Sequence, residues 1–217
     1  LTHSFVRAWD WAGSLLTDAG NTVIVEDKLL GQETSILAFV DGRSIYVMES
    51  SQDHKPIGEG DTGPNTGGMG AYSPAPVVTA ELFDAACEQV IRPMVEGMAR
   101  EGNPYVGILY AGLMIKDGAI KILEFNCRFG DPETQPIMMR MNSDLPALCV
   151  AALEGRLDGA TVEWDPRVAL GVVLAAGGYP GSYEKGKVIS GLDRFDGVED
   201  AKVFHAGTAL QDGRLVT

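Results

Sequence analysis

Apolar positions fall in short runs bounded by Gly, Pro, Asp or Asn, and their spacing predicts strands interleaved with a few helices. Thr22–Val25 reads as a buried strand. Ser35–Val40 and Ile45–Met48 read as strands joined by Asp41-Gly42-Arg43-Ser44, where Asp-Gly between apolar runs signals a hairpin. Val106–Ile115 is turned back by Asp117-Gly118 into Lys121–Asn126, a second antiparallel hairpin. Helical spacing runs from Thr79 to Arg100, with Phe83, Cys87, Val90, Ile91, Met94 and Met98 on one side; Pro93 should kink or break it. Ser143 is the expected N-cap of a helix from Asp144 to Glu154, stopped by Gly155. Around Thr161–Arg167 the composition shifts, and Val168–Ala175, Val188-Ile189 and Val203-Phe204 read as strands. Glu49–Pro76 has no period and reads as a long functional loop.

The chemistry gathers where the Lys121–Asn126 strand ends. Alternation puts Glu124 and Asn126 on one face, about 6.5–7 Å apart at Cα. A carboxylate and an amide carbonyl are hard oxygen ligands, suited to Mg²⁺ shared with phosphates. Arg128 follows, a planar cation fit for a phosphate or carboxylate, before Phe129–Pro132 turns the chain and Glu133 opens a helix. By spacing alone, a solvated strand end followed by a turn explains these residues equally well. Gly58, Gly60 and Gly63 match GxGxxG in form only: no βαβ unit surrounds them and Pro64 follows. Gly67, Gly68 and Gly70 instead allow backbone to approach a small substrate, with Lys55 a candidate partner for its anionic group.

Composition narrows the field. A formal charge of −13 over 217 residues argues against nucleic-acid or anionic-membrane binding. No apolar run reaches membrane-spanning length. Cys87, Cys127 and Cys149 are scattered, which disfavours disulfides and fits a reducing cytoplasm; His3, His54 and His205 lack zinc spacing with them. Leu1–Leu16, with Trp9 and Trp11, reads as a short helix or leader without assigned function.

Two runs carry a resemblance. Glu124-Phe-Asn-Cys-Arg-Phe-Gly-Asp-Pro-Glu-Thr-Gln-Pro136 and Ser51-Gln-Asp-His-Lys55, the latter followed by Asp61-Thr-Gly-Pro-Asn-Thr-Gly-Gly-Met-Gly-Ala-Tyr-Ser-Pro74, resemble the ATP-grasp ligases of purine synthesis, above all the glycinamide ribonucleotide synthetase family. The resemblance covers roughly Asp18 to Thr217 and implies an α+β fold: an ATP-grasp large lobe, antiparallel sheet with helices, and the start of a small β-rich C-terminal domain. The implied division is 1–17 unassigned, 18–160 partial ATP-grasp domain and 161–217 partial C-terminal domain.

The resemblance also implies an activity, ATP-dependent joining of glycine to 5-phosphoribosylamine through glycyl phosphate. Glu26 and Leu29 would meet adenine through their backbone, and Glu33 would accept the ribose hydroxyls. Glu124 and Asn126 would hold Mg²⁺ or Mn²⁺, and Arg128 would neutralise charge during catalysis. Lys55, Asn65, Thr66, Gly67, Gly68, Met69, Gly70, Asp131 and Glu133 would contact substrate. Three departures matter. Pro56 stands where the family has an arginine, and Val106–Ile115 carries no metal-binding acid. The family's Gly-Gly-Arg-Glu-His motif, phosphate-binding lysine and glycine-rich flap have no match here, so the chain reads as a middle-to-C-terminal portion whose partner would be the missing N-terminal part. The rival expectations are a catalytically silent nucleotide-binding or assembly fragment and a ligase with another acceptor.

Overall fold

The computed structural model describes residues 26–217. The chain divides into two units, 1–30 and 31–217. Residues 26–30 have no regular secondary structure; the expected strand Thr22–Val25 and the leader lie outside the described residues. The second unit is built on a four-stranded antiparallel sheet ordered β2-β1-β7-β8, from β1 (Gln32–Asp41), β2 (Ile45–Val47), β7 (Val106–Lys116) and β8 (Ala119–Asn126). Both expected hairpins form. At the first turn the Asp41 carboxylate accepts the N–H groups of Arg43 and Ser44 at 3.0 and 2.6 Å. At the second, Asp117 (φ 50°) and Gly118 (φ 78°) are both left-handed, the geometry that matches strand twist in a two-residue hairpin.

Period-two alternation divides β1 between two cores. Ile36, Ala38 and Val40, with Leu109, Ala111 and Leu113 of β7, pack on Ala86, Val90, Ile91 and Val95. Leu37, Phe39 and Tyr110 pack from the opposite face on Ile137, Leu148, Ala151 and Ala152. The sheet is therefore covered on both faces, and residues 36–40 are all buried. Full burial of such a side chain contributes roughly 1.5–3 kcal/mol, which makes β1 the anchor of the unit.

The helices follow their breakers. Thr79 caps α1 (Ala80–Ala86), accepting from the Leu82 N–H. A π turn, Cys87–Ile91, then leads into α2 (Arg92–Arg100). Pro93 has no N–H to donate and crowds the preceding turn; widening that turn keeps the helix running where a break was the alternative. α3 (Thr134–Arg140) starts at Glu133 as expected, and α4 (Leu145–Leu153) ends before Gly155 (φ 67°). The cap of α4 corrects the sequence reading: Asp144 accepts from the Ala147 N–H at 3.1 Å, whereas Ser143 accepts from Glu163.

Residues 49–76 are not a structureless loop. β3 (Gln52–Asp53) pairs with β6 (Gly70–Ser73), and β4 (Pro56–Gly58) pairs with β5 (Thr62–Asn65). The glycines of the apparent GxGxxG thus lie in a hairpin. β9 (Ala169–Val172) adds to β6, giving a sheet ordered β3-β6-β9. Only four residues of the expected strand 168–175 pair, because β6 is itself four residues long. Val188 makes a single bridge to Val216, and Val203-Phe204 is not a strand. The regular element near the C-terminus is instead the hairpin of β10 (Ala209–Gln211) and β11 (Arg214–Val216), turned by Asp212-Gly213. Buried Arg140 ties these parts together, donating to the carbonyls of Asp165 and Arg167, to Ser73 Oγ at 3.0 Å and to Glu49 at 3.1 Å.

Candidate active site

The antiparallel register sets one sheet face for chemistry. Glu33, Ser35 and Leu37 of β1 stand opposite Met114, Gly112 and Tyr110 of β7, and Gly112 and Tyr110 stand opposite Glu124 and Asn126 of β8. Glu124 reaches this face through a β-bulge. Gly112 faces Glu124 while Leu113 faces Ile122, so Leu123 is an extra residue. Ile120 and Phe125 both pack on the first core although they are five positions apart, an odd spacing that regular alternation would put on opposite faces. Without the bulge, Glu124 would continue the Ile120–Ile122 face; with it, the carboxylate turns to the other side. Opposite it Gly112 carries no side chain, and a Cβ there would sit 3.3 Å from Glu124 Cγ.

A cavity of about 220 Å³ opens on this face, lined by Glu33, Thr34, Ser35, Asp53, Lys55, Tyr110, Gly112, Leu123 and Glu124. Lys55 Nζ donates to Glu33 Oε2 at 2.7 Å. Burial opposes the Lys55 charge, but Glu33, Asp53 and Glu124 outweigh it and hold the ammonium above its ordinary pKa. Asp53 is the counterpart: burial first, then the nearby Glu133 carboxylate, push its pKa up to about 6. Beneath the cavity, Glu133 is buried and its Oε1 lies 2.9 Å from both Ser35 Oγ and Tyr110 Oη, which are 2.7 Å from each other. Two hydroxyls bring two protons to three contacts, so two of the three are hydrogen bonds at any moment. Burial and the Glu133 carboxylate raise the Tyr110 pKa far enough that its phenol stays a donor.

The structure unites some of the expected residues and separates others. Glu33, Lys55 and Glu124 line one cavity, and Asn126 shares their face one pleat beyond, opposite Tyr110. Glu133 supports the floor. Arg128 is exposed and donates to the Phe129 carbonyl at 2.8 Å; Asp131 is also exposed. The Asn65–Gly70 loop lies outside the lining but is fastened to Lys55 and its neighbour. Thr66 N–H and Oγ1 both donate to the Lys55 carbonyl at 2.8 Å, and Met69 N–H donates to the His54 carbonyl at 2.7 Å. Gly68 (φ 121°) lies so close to Pro132 that a Cβ would collide with its ring. Gly67 N–H donates to Tyr179 Oη at 3.2 Å. Glu26, exposed, and Leu29, half-buried, belong to the first unit.

Sequence reasoning passed over Asp53, Ser35 and Tyr110. Asp53 had a usable signal, since it lies two residues before Lys55 in an extended segment and so shares its side of the chain. Among the described residues no three His, Cys, Asp or Glu side chains group as a metal site. A cation here would draw two oxygen ligands from Glu124 and Asn126 and the rest from a bound ligand and water.

Comparison with known proteins adds to the geometry. A family model described as phosphoribosylglycinamide synthetase, ATP-grasp (A) domain, matches residues 7–134, and the C-domain model of the same family matches residues 169–217. A phosphoribosylamine–glycine ligase of Vibrio parahaemolyticus is 61% identical over 207 residues, covering 95% of this chain and 48% of the relative. One from Escherichia coli O157:H7 is 60% identical over 206 residues, covering 94% of this chain and 48% of the relative. The crystal structure of phosphoribosylamine–glycine ligase from Thermotoga maritima superposes with a TM-score of 0.70 at 40% identity, over 88% of this chain and 46% of that one. The chain spans about half the length of the curated relatives it matches.

Proposed function

The chain belongs to the phosphoribosylglycinamide synthetase family of ATP-grasp proteins, and from that premise we propose that the full-length protein ligates glycine to 5-phosphoribosylamine, releasing ADP and phosphate. The observation that carries this reading is the convergence of Glu33, Lys55 and Glu124 from separate segments on one cavity, within the region matched by the family. Glu33 accepts the ribose hydroxyls. The Lys55 ion pair with Glu33 yields as ATP enters, freeing the ammonium for an anionic group. Glu124 and Asn126, hard oxygens on one face, fit Mg²⁺ or Mn²⁺ held jointly with the triphosphate. The metal, when bound, supplies charge neutralisation between the triphosphate and glycine's carboxylate.

Glycine's carboxylate oxygen attacks the γ-phosphorus and ADP leaves, giving glycyl phosphate. The amine nitrogen of phosphoribosylamine then attacks the acyl carbon. A C–N bond forms, the C–O bond to phosphate breaks, and the amine loses a proton. No side-chain nucleophile is needed; the residues orient substrates and keep water from the acyl phosphate. Arg128 and Asp131, exposed at the strand end, and the Asn65–Gly70 loop contact the substrates once these are in place. The Gly63–Gly70 run favours this acceptor over other amines. These small polar substrates suit a cytoplasmic setting, and among the described residues no helix is long and apolar enough to cross a membrane.

The test is phosphate release by the full-length protein. Release that requires both glycine and phosphoribosylamine is expected; release that needs neither overturns the reading. Glu124→Gln should lower Mg·ATP-dependent turnover more than about tenfold, roughly 1.4 kcal/mol of transition-state stabilisation. Normal turnover of that variant across a magnesium titration removes Glu124 from the site. Residues 1–217 alone lack the family's phosphate-binding lysine and flap motifs, so they are expected to bind Mg·ATP weakly and form no product. Robust turnover by the isolated chain would show those parts to be dispensable.

A further inference from the structure

Asp53 has no place in the reading above, yet it is a buried carboxylate in the cavity wall. It is 7% exposed and lines the space beside Glu33, Lys55, Tyr110 and Glu124. Lys55's ammonium is bonded to Glu33, which leaves Asp53 without a bonded cation among the described residues. Such a carboxylate lacks the compensation that buried charges ordinarily have. Asp53 at the end of β3 and Lys55, two residues further on, line the same space. An anion and a cation set side by side in a small cavity match a zwitterion, with an ammonium for Asp53 and a carboxylate for Lys55.

Resting on the ligase reading, we propose that Asp53 binds the ammonium group of the amino-acid substrate and so selects an α-amino acid over an acid of the same size without the amine. The groups facing it are Lys55 on its own segment, Glu33 from β1, Tyr110 from β7, Glu124 from β8 and Glu133 at the start of α3. All but Lys55 and Tyr110 are carboxylates, so an entering ammonium meets an attractive field. Desolvated, a charge-assisted hydrogen bond of this kind also rejects the hydroxyl analogue, which leaves the carboxylate unpaired.

The full-length enzyme, wild type and Asp53→Asn, is assayed for ADP formation with glycine and with glycolate, in which a hydroxyl replaces the amine. The variant is expected to raise the KM for glycine on the order of 10- to 100-fold, keep the KM for ATP, and narrow the preference for glycine over glycolate. The wild type supplies a test free of folding effects. Its kcat/KM for glycine should fall as pH drops below about 6, where Asp53 takes up a proton, and kcat/KM for ATP should not follow. An unchanged glycine KM and preference in Asp53→Asn overturns the proposal and leaves the ligase reading standing. A rise confined to the KM for phosphoribosylamine also overturns it, reassigning Asp53 to the second substrate. Wild-type enzyme without glycine-dependent turnover overturns both readings together.

Discussion

Asp53 illustrates how a buried carboxylate can cost stability. Its pKa is about 6 in the folded chain, against an ordinary 3.8. Folding therefore favours the protonated form: the benefit is complete below pH 4 or so and is lost as pH rises through about 6. At neutral pH the ionised carboxylate destabilises the fold by at most about 3 kcal/mol. Asp53→Asn should raise stability towards urea at pH 7.5, and the gain should vanish near pH 4; equal stability of the two proteins at both pH values would contradict the burial argument. A group retained at such a cost is better explained by a ligand than by packing. Individual residues were legible where chemistry and spacing speak locally. Glu124 and Asn126 stood out as alternating oxygen-bearing side chains on one strand face, and Lys55 as a cation in a glycine-rich stretch. The acidity of Asp53 and the Ser35–Tyr110–Glu133 triangle were not, because they arise from residues up to 98 positions apart.

Among the elements, long periodic segments were read correctly, whereas the short strands β3 to β6 were not. β1, β7 and the flanking helices repeat an apolar pattern over enough residues to declare their period. β3 to β6 contain two to four residues each, rich in glycine and proline, and exist only because each has a partner elsewhere in the chain. The bulge at Leu123 and the π turn before Pro93 share one logic, an extra backbone allowance that lets an awkward local sequence keep its tertiary direction. The loop 65–70 packs closely against the Asp131–Pro132 turn. Gly68 combines a left-handed backbone with contact to the proline ring, so Gly68→Ala meets strain and overlap at once. A loss of about 1–3 kcal/mol is expected in a urea titration, with the sheet's far-ultraviolet dichroism unchanged before the transition. A variant as stable as wild type would show that the loop is free to shift.

At the scale of the molecule, composition and motif order pointed to an acidic α+β ATP-grasp protein, and family, fold and neighbours agree. The sequence does not show how its later part attaches, because strand pairing leaves no trace in a four-residue segment such as β9. That attachment has a practical consequence. The two family matches end and begin at residues 134 and 169, as though the chain could be cut between them. Yet β9 completes a sheet whose other members lie at residues 52–53 and 70–73. A chain ended at residue 160 would expose the open side of β6, with its N–H and C=O groups unpaired beside the glycine-rich loop. Open strand borders of this kind recruit other chains. Such a truncation should self-associate as its concentration rises, seen by light scattering, whereas the chain carried through residue 217 scatters as before. If both stay dispersed alike, β9 is a removable cover; otherwise the apparent boundary is a seam within one folded body and not a place to divide it.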